Sequence, residues 1–336
     1  MKPVKTAIIG LGYFGPNLLR NFAQQTGAEM AYACDMREEA LEKVRRTYPT
    51  IKTTANVSDI WNDASVELVV LATPTSSHFP LAKAALEAGK HVLVEKPMAS
   101  TVEEGESLVN LAKEKGLLLF VDHTFCFAPS VEKMAALSKS GALGDLLYYD
   151  SVRINLGLIQ KDADVLQDLA IHDLSIISQL WNLDDVATVC AHGSKHFGAH
   201  AEQAHIHITF KTGVTAHIHV SWLSPVKVRR TMLAGTKSML VYDDTEPSEK
   251  IRLYDCGIEH DATKADPFFP KYRSGDILIP ALPAQEPLGV EAAHILRCIR
   301  EKETPRVSGE EALKVLRLLT LCRESLEKDS TVLTLS

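Results

Sequence analysis

Short apolar runs alternate with amphipathic stretches through the first third of the chain, and the rhythm changes near residue 124. VKTAII, AEMAYAC, VELVVLA, HVLV and GLLLFVD are 4–8-residue runs of strand type; the intervening GPNLLRNFAQ, HFPLAKAALEAGK and TVEEGESLVNLAKEKG carry helical periodicity. The third of these helices has its ends marked, with Thr101 as N-cap, Glu104 closing a capping box, and Gly116 as the stop. Such a β-α-β-α-β series to about residue 123 predicts a doubly wound parallel sheet, with ligands at the carboxyl ends of its strands. After FAPSVEKMAALSKSGALG, a helix ending at Gly141 or Gly144, the pattern turns to period two: DLLYYDSVRINLG, VATVCAHGS, HIHITFKTGVTAHIHVSWL, RRTMLAGTKSMLVYDD and EKIRLYDCG. Consecutive strands without intervening helices predict a mostly antiparallel sheet. Since Gly10-x-Gly12-x-x-Gly15 stands between the first strand and the first helix, the expected division is 1–123, a dinucleotide-binding domain of Rossmann type, and 124–336, a substrate-binding and oligomerisation domain with flanking helices. Residues 259–290, rich in proline, read as a long excursion, and Ser308 with Glu311 as a capping box before the amphipathic ALKVLRLLTLCRESL.

Bulk numbers narrow the partners. The chain has 336 residues, 46% apolar and 24% charged, with 36 basic against 43 acidic side chains and a net charge of −7. That balance argues against nucleic acid and anionic membrane, which need a basic footprint. No apolar stretch approaches a membrane span, and the start MKPVKTAIIGLG is too soon interrupted by glycine for a signal peptide. Six scattered cysteines without a C-x-x-C pair read as free thiols in a reducing cytoplasm.

The chemistry concentrates at predicted strand ends. Gly10-x-Gly12-x-x-Gly15 stands between a strand and a helix, the context in which glycines permit a tight turn, approach of a pyrophosphate and close helix packing. Tyr13 and Phe14 lie within this turn. Asp35, 25 residues after Gly10, ends the second strand where a carboxylate binds the adenine ribose hydroxyls. This favours NAD over NADP, since a carboxylate repels a 2′-phosphate. Met36 and Arg37 adjoin it; Arg37 reads either as a 2′-phosphate partner or as a solvated residue at a helix start. Thr73, Pro74 and His78 follow the next strand, and Glu95, Lys96 and Pro97 the one after. In the second domain DVLQDLAIHDLSIISQLW sets Asp168 and His172 four apart, on one helix face. Such a pair is either a satisfied core pair or an acid–base device, and a lysine at a strand end is most often a solvated charge. A dinucleotide crevice holding a lysine, with an Asp–His face elsewhere, supplies what alcohol oxidation needs: a base for the hydroxyl proton and a cation for the developing alkoxide.

Together the glycine motif, Ala72-Thr73-Pro74 with His78, Glu95-Lys96-Pro97 and Asp168-x-x-x-His172 resemble the Gfo/Idh/MocA oxidoreductases, sugar and polyol dehydrogenases, over nearly the whole chain. The resemblance implies Lys96 and His172 as the catalytic pair with Asp168 assisting, and Glu95, Lys96 and Pro97 lining the nicotinamide side. Ala170 stands where relatives often carry glycine, and Ala128 where they often carry asparagine. GYFGPNLLRNF, RINLG, SWLSPVKVRR and YRSGDI are most similar to a branch that oxidises the C3 hydroxyl of UDP-N-acetylglucosamine or its uronic acid. That implies His123, Arg153, Asn155, Tyr272 and Arg273 as substrate contacts beside Asp168 and His172, with Lys227 and Arg229 weaker candidates; Arg229 with Arg230 reads more simply as a charged strand edge. Inositol-type dehydrogenation, glycosidic cleavage through transient oxidation, and non-catalytic NAD sensing are the competing readings.

His205, His207, His217 and His219 raise a metal hypothesis. A two-residue turn at Thr212-Gly213 sets residue 208 opposite 217 and puts the two pairs on opposite faces; a bulge joins them. No metal is assigned. The histidines are read as packing in a homodimer or homotetramer interface formed by this sheet.

Overall fold

The fold was obtained as a computed structural model, which describes residues 2–157, 159, 163–259 and 271–335. Pro267 and Pro270 of the expected excursion lie outside the described residues. The chain forms two units: residues 1–128 with 285–317, and residues 129–284 with 318–336.

The first unit is built on six strands: β1 (Val4–Ile9), β2 (Ala28–Cys34), β3 (Lys52–Thr54), β4 (Leu68–Leu71), β5 (His91–Glu95) and β6 (Leu119–Asp122). Their order is β3-β2-β1-β4-β5-β6 and every neighbouring pair is parallel. β4 is buried at all four positions, which is why it reads as an unbroken apolar run: both its faces are covered. The helices between strands are α1 (Gly15–Ala23), α2 (Glu38–Thr47), α3 (Ser58–Trp61), α4 (His78–Glu87) and α5 (Val102–Lys115). At the start of α5 the Thr101 hydroxyl accepts from the Glu104 N–H at 3.2 Å. The Glu104 carboxylate accepts from the N–H of Ser100, one residue earlier than a simple capping box. Gly116, at φ +65°, ends the helix.

The second unit opens with α6 (Pro129–Lys139) and β7 (Leu146–Leu156). A π-helical turn, Leu166–Ala170, then runs directly into α7 (Ile171–Ile177). β8 (Val186–Ser194), β9 (Gln203–Phe210), β10 (Thr215–Ser221), β11 (Leu223–Gly235), β12 (Met239–Asp243) and β13 (Ile251–Tyr254) follow. β14 (Gly257–Glu259) and β15 (Lys271–Arg273) pair with each other as a separate ribbon. With β16 (Ile277–Leu278) and β17 (Leu333–Thr334), the large sheet has nine strands in the order β16-β13-β12-β11-β7-β10-β9-β8-β17. All its neighbours are antiparallel except β7 and β10. Ile206, Ile208, Phe210, Ala216, Ile218 and Val220 fill its inner face.

Three features depart from the expected organisation. The chain divides at 128 rather than 123, and residues 285–317 return to the first unit. They bring α8 (Pro287–Glu301) and the start of α9 (Gly309–Glu327), neither of which a contiguous division assigns there. Leu288, Ala292, Ile295 and Leu296 of α8 pack with Val4, Ile8, Leu18 and Phe22, so an apolar helix stripe finds its sheet from far along the chain. The β9–β10 hairpin closes through three residues, Lys211–Gly213, with Phe210 N–H donating to Val214. That odd loop length moves the register by one, setting His207 opposite His217 and His205 opposite His219. All four therefore share the outer face, joined by His192 across from His205. The π-helical turn is the third departure, where a plain α-helix was expected.

Candidate functional site

In the first unit the predicted residues collect at one edge, because each follows the carboxyl end of a parallel strand. Gly10 has φ +94°, and a Cβ there would stand 2.4 Å from the Ala72 carbonyl oxygen. A Cβ on Gly15 would lie 2.0 Å from the Gly10 carbonyl oxygen, so α1 starts in contact with the turn. Gly12 meets nothing within 4 Å. Its backbone is open to a ligand at the N-terminus of α1, where unbonded N–H groups favour phosphate. Phe14 is the N-cap of α1, and Tyr13 and Met36 are almost wholly exposed. These residues fit a dinucleotide.

The Asp35 carboxylate, at the end of β2, accepts the Leu11 N–H at 2.7 Å and the Arg37 N–H at 2.8 Å. The Arg37 guanidinium bonds both Asp35 oxygens at 3.0 Å and reaches the Leu11 carbonyl. Burial acts to raise the acid, but the Arg37 and Leu11 hydrogen bonds outweigh it and hold Asp35 below its ordinary value. Beside them opens a cavity of about 500 Å³ lined by Gly12, Arg20, Arg37, Lys43 and Tyr48.

Glu95 closes β5, and Lys96 and Pro97 follow it, joined by a cis peptide bond. His78 is a correction to the expected cofactor contacts. It is 1% exposed, with Nδ1 at 2.8 Å from the Pro97 carbonyl oxygen and Nε2 at 2.8 Å from that of Thr73. The ring lies between two strand-end loops, those carrying Thr73-Pro74 and Lys96-Pro97, and as a neutral imidazole donates its one N–H to one of the two carbonyls. Burial, opposed by those two carbonyls, moves its pKa down. His123 is a second correction. It follows β6 and is buried, and burial together with the charge of Lys96 pushes it down to about 3, so it is a neutral neighbour of the lysine rather than an exposed substrate contact.

In the second unit Asp168 sits in the π-helical turn and His172 in α7. The Trp222 indole N–H donates to Asp168 Oδ2 at 2.9 Å, which fixes the carboxylate from the end of β10. Arg153, expected to meet an anionic substrate, is the third correction. Only 3% of it is exposed, and its Nε bonds Asp173 Oδ2 at 2.7 Å. Asp173 also accepts from the Tyr149 hydroxyl at 3.2 Å. The guanidinium thus ties β7 to the residue after His172. Burial works against its charge, and Asp173 more than restores it. Asn155 lies two residues on, half-buried. Tyr272 is exposed on β15, and Arg273 gives its guanidinium to the Asp255 carboxylate and the Lys237 carbonyl. Arg229 pairs with Asp244 at 3.4 Å. Asp173 and Trp222 were missed because each only supports a predicted residue; the adjacency His172-Asp173 was the one available signal. Among the described residues, no group of three or more His, Cys, Asp or Glu side chains is arranged to hold a metal ion. Nor, among them, is any helix long and apolar enough to cross a membrane.

Residues 4–123 match the family model of the oxidoreductase family, NAD-binding Rossmann fold (GFO/IDH/MocA), and residues 131–241 match the GFO/IDH/MocA C-terminal domain. An uncharacterised oxidoreductase of Escherichia coli strain K12, YdgJ, is 35% identical over 44% of this chain, a match spanning only 42% of that protein. The NADP(+)-dependent scyllo-inositol 2-dehydrogenase IolW of Bacillus subtilis strain 168 is 26% identical over 87% of this chain and 86% of its own. UDP-N-acetylglucosamine 3-dehydrogenase of Acidithiobacillus ferrooxidans is 28% identical over 68% of this chain and 70% of its own. A solved structure under that name from the same organism shares the fold, with a TM-score of 0.84 at 24% identity over 98% of this chain and all of the other.

Proposed function

The chain belongs to the Gfo/Idh/MocA family, oxidoreductases acting on CH–OH groups, and from that premise we propose that it oxidises a ring secondary hydroxyl, at C3, of a nucleotide-linked amino sugar such as UDP-N-acetylglucosamine, with NAD as acceptor. The observation that carries the substrate class is the similarity to UDP-N-acetylglucosamine 3-dehydrogenase over two thirds of both chains. Bound nicotinamide supplies the hydride acceptor. Lys96 stabilises the oxygen of the reacting hydroxyl, and His172 takes its proton. Asp168, steadied by the Trp222 indole, orients the base. Asp35 holds the adenine ribose, exchanging its bonds with Arg37 for bonds to the ribose hydroxyls. The diphosphate contacts fall to Asn155, Tyr272 and Arg273, which are at least partly exposed, since Arg153 is buried against Asp173. Self-association through the outer face of the nine-stranded sheet belongs to the same reading.

A second reading, oxidation of a free inositol, is favoured by the longer match to IolW. NADH absorbance with NAD and UDP-N-acetylglucosamine, its uronic acid, myo-inositol or glucose separates the two; a 2-oxoacid is added in parallel to release trapped NADH. The expected result is turnover with the UDP-sugars alone. Turnover with polyols alone overturns the substrate class. Lys96→Ala and His172→Ala should each lower turnover by roughly 10²- to 10⁴-fold while NAD binding survives; full activity in both removes their roles.

A further inference from the structure

Two acids at the strand ends of the first unit have no part in the proposed reaction. Asp122, the last residue of β6, and Glu291, in α8, are each 2% exposed, and their carboxyl groups lie close enough to act on one another. An ionised carboxylate only accepts hydrogen bonds, so a bond between two carboxyl groups requires a proton on one of them. The Thr124 hydroxyl donates to Asp122 Oδ1. Among the described residues no N–H or O–H group donates to Asp122 Oδ2 or to Glu291 Oε2. Two like charges in contact, both out of water, do not ionise together. Burial raises both acids, and burial with the neighbouring acid pushes Glu291 far above the ordinary carboxylate range.

The surroundings fix the charge that remains. Glu95 is in register with Asp122 across β5 and β6, and its charge also acts on Glu291. The Lys96 charge acts on Asp122 and on His123, and His123 is neutral. Arg20, on α1, is bound by Glu286 at the start of α8, and His294, farther along α8, faces Glu303 and Arg306. Lys96 follows Glu95 at that strand end, and among the described residues it is the cation whose charge acts on Asp122.

Resting on the dehydrogenase reading, we propose that Asp122 and Glu291 share one proton and act as positioning residues for Lys96, presenting a single negative charge at the strand ends that carry it. Glu291→Gln imitates the protonated partner and keeps that charge. Asp122→Asn with Glu291→Gln removes it with little change of shape.

Three readouts are made on the full chain. The infrared carbonyl band of a protonated carboxyl should be present in the wild type at neutral pH and absent from Glu291→Gln. Acylation of Lys96 by acetic anhydride, followed by mass spectrometry, should be unchanged in Glu291→Gln and faster in the double variant, where less holds the ammonium. Where turnover is found, Glu291→Gln should retain it. The double variant should lose roughly ten- to a hundred-fold in kcat, the range for residues acting through another group, with KM for NAD unchanged. Absence of the band, or a double variant with wild-type acylation and kcat, overturns the proposal. A wild type that oxidises none of the sugars sinks the dehydrogenase reading instead, and the infrared and acylation arms still decide the pair. If the double variant does not fold, the band in Glu291→Gln decides the shared proton and Lys96 acylation in the single variant Asp122→Asn decides the positioning.

Discussion

A guanidinium out of water must have its charge answered close by, and at Arg153 the answer is Asp173. Removing one member of a buried pair strands the other, at a cost of about 3–5 kcal/mol. Asp173→Asn should therefore destabilise the second unit by about that much, read by urea unfolding, and Arg153→Met combined with Asp173→Leu should recover most of the loss. Equal losses in the single and double variants would mean that the pair's shape matters more than its charge. The same residue illustrates where sequence reading fails. The strand-end placement of Gly10, Gly12, Gly15, Asp35 and Lys96 was legible because the glycine turn, the acid and the lysine each follow or end an apolar run that reads as a strand. Arg153, His78 and His123 were legible as polar but not as buried, since polarity predicts exposure until the partner is known. Asp122 and Glu291 were not legible at all, because only the return of α8 brings them together.

At the scale of elements, the outer face of the nine-stranded sheet holds its histidines in two cross-strand rows. The His205 and His219 rings stack at 4.2 Å, and His207 Nδ1 is 3.3 Å from His217 Nδ1. Burial first, and the neighbouring histidines next, lower the pKa of His205, His207 and His219. The unfolded chain takes up protons near pH 6.5 while the folded face resists them. Stability is then full above about pH 6.5 and falls as the pH drops below it. Thermal melts between pH 8 and pH 5 should show that decline, and the triple change of these histidines to Gln should flatten it; parallel curves would remove the ladder as its source. Sedimentation velocity over the same range reads whether the face also holds a second copy. The strands and their alternation were readable from period two, whereas the register rested on one loop residue that composition does not reveal.

For the whole molecule, cofactor choice is a question of linkage. A ligand that binds only the folded chain stabilises it, by about 2.7 kcal/mol at a hundredfold excess over Kd. NAD should raise the melting temperature more than NADP at equal concentration, because the 2′-phosphate meets Asp35. A larger shift with NADP would mean that Arg37 has turned from Asp35 toward the phosphate, with Lys43 lining the same cavity. Fold class was legible at this scale because two periodicities follow one another along the chain. The boundary was less so, since Pro287 through Arg317 carry no mark of the unit they join.

That return has a consequence for the order in which the protein comes into being. When a ribosome has made the first 128 residues, all six strands of the parallel sheet exist, but Leu288, Ala292, Ile295 and Leu296 do not. The apolar patch of Val4, Ile8, Leu18 and Phe22 waits uncovered while eight of the nine strands of the large sheet are translated. The nascent first unit must therefore be held open or shielded until α8 emerges, and Asp122 waits as long for the partner with which it shares a proton.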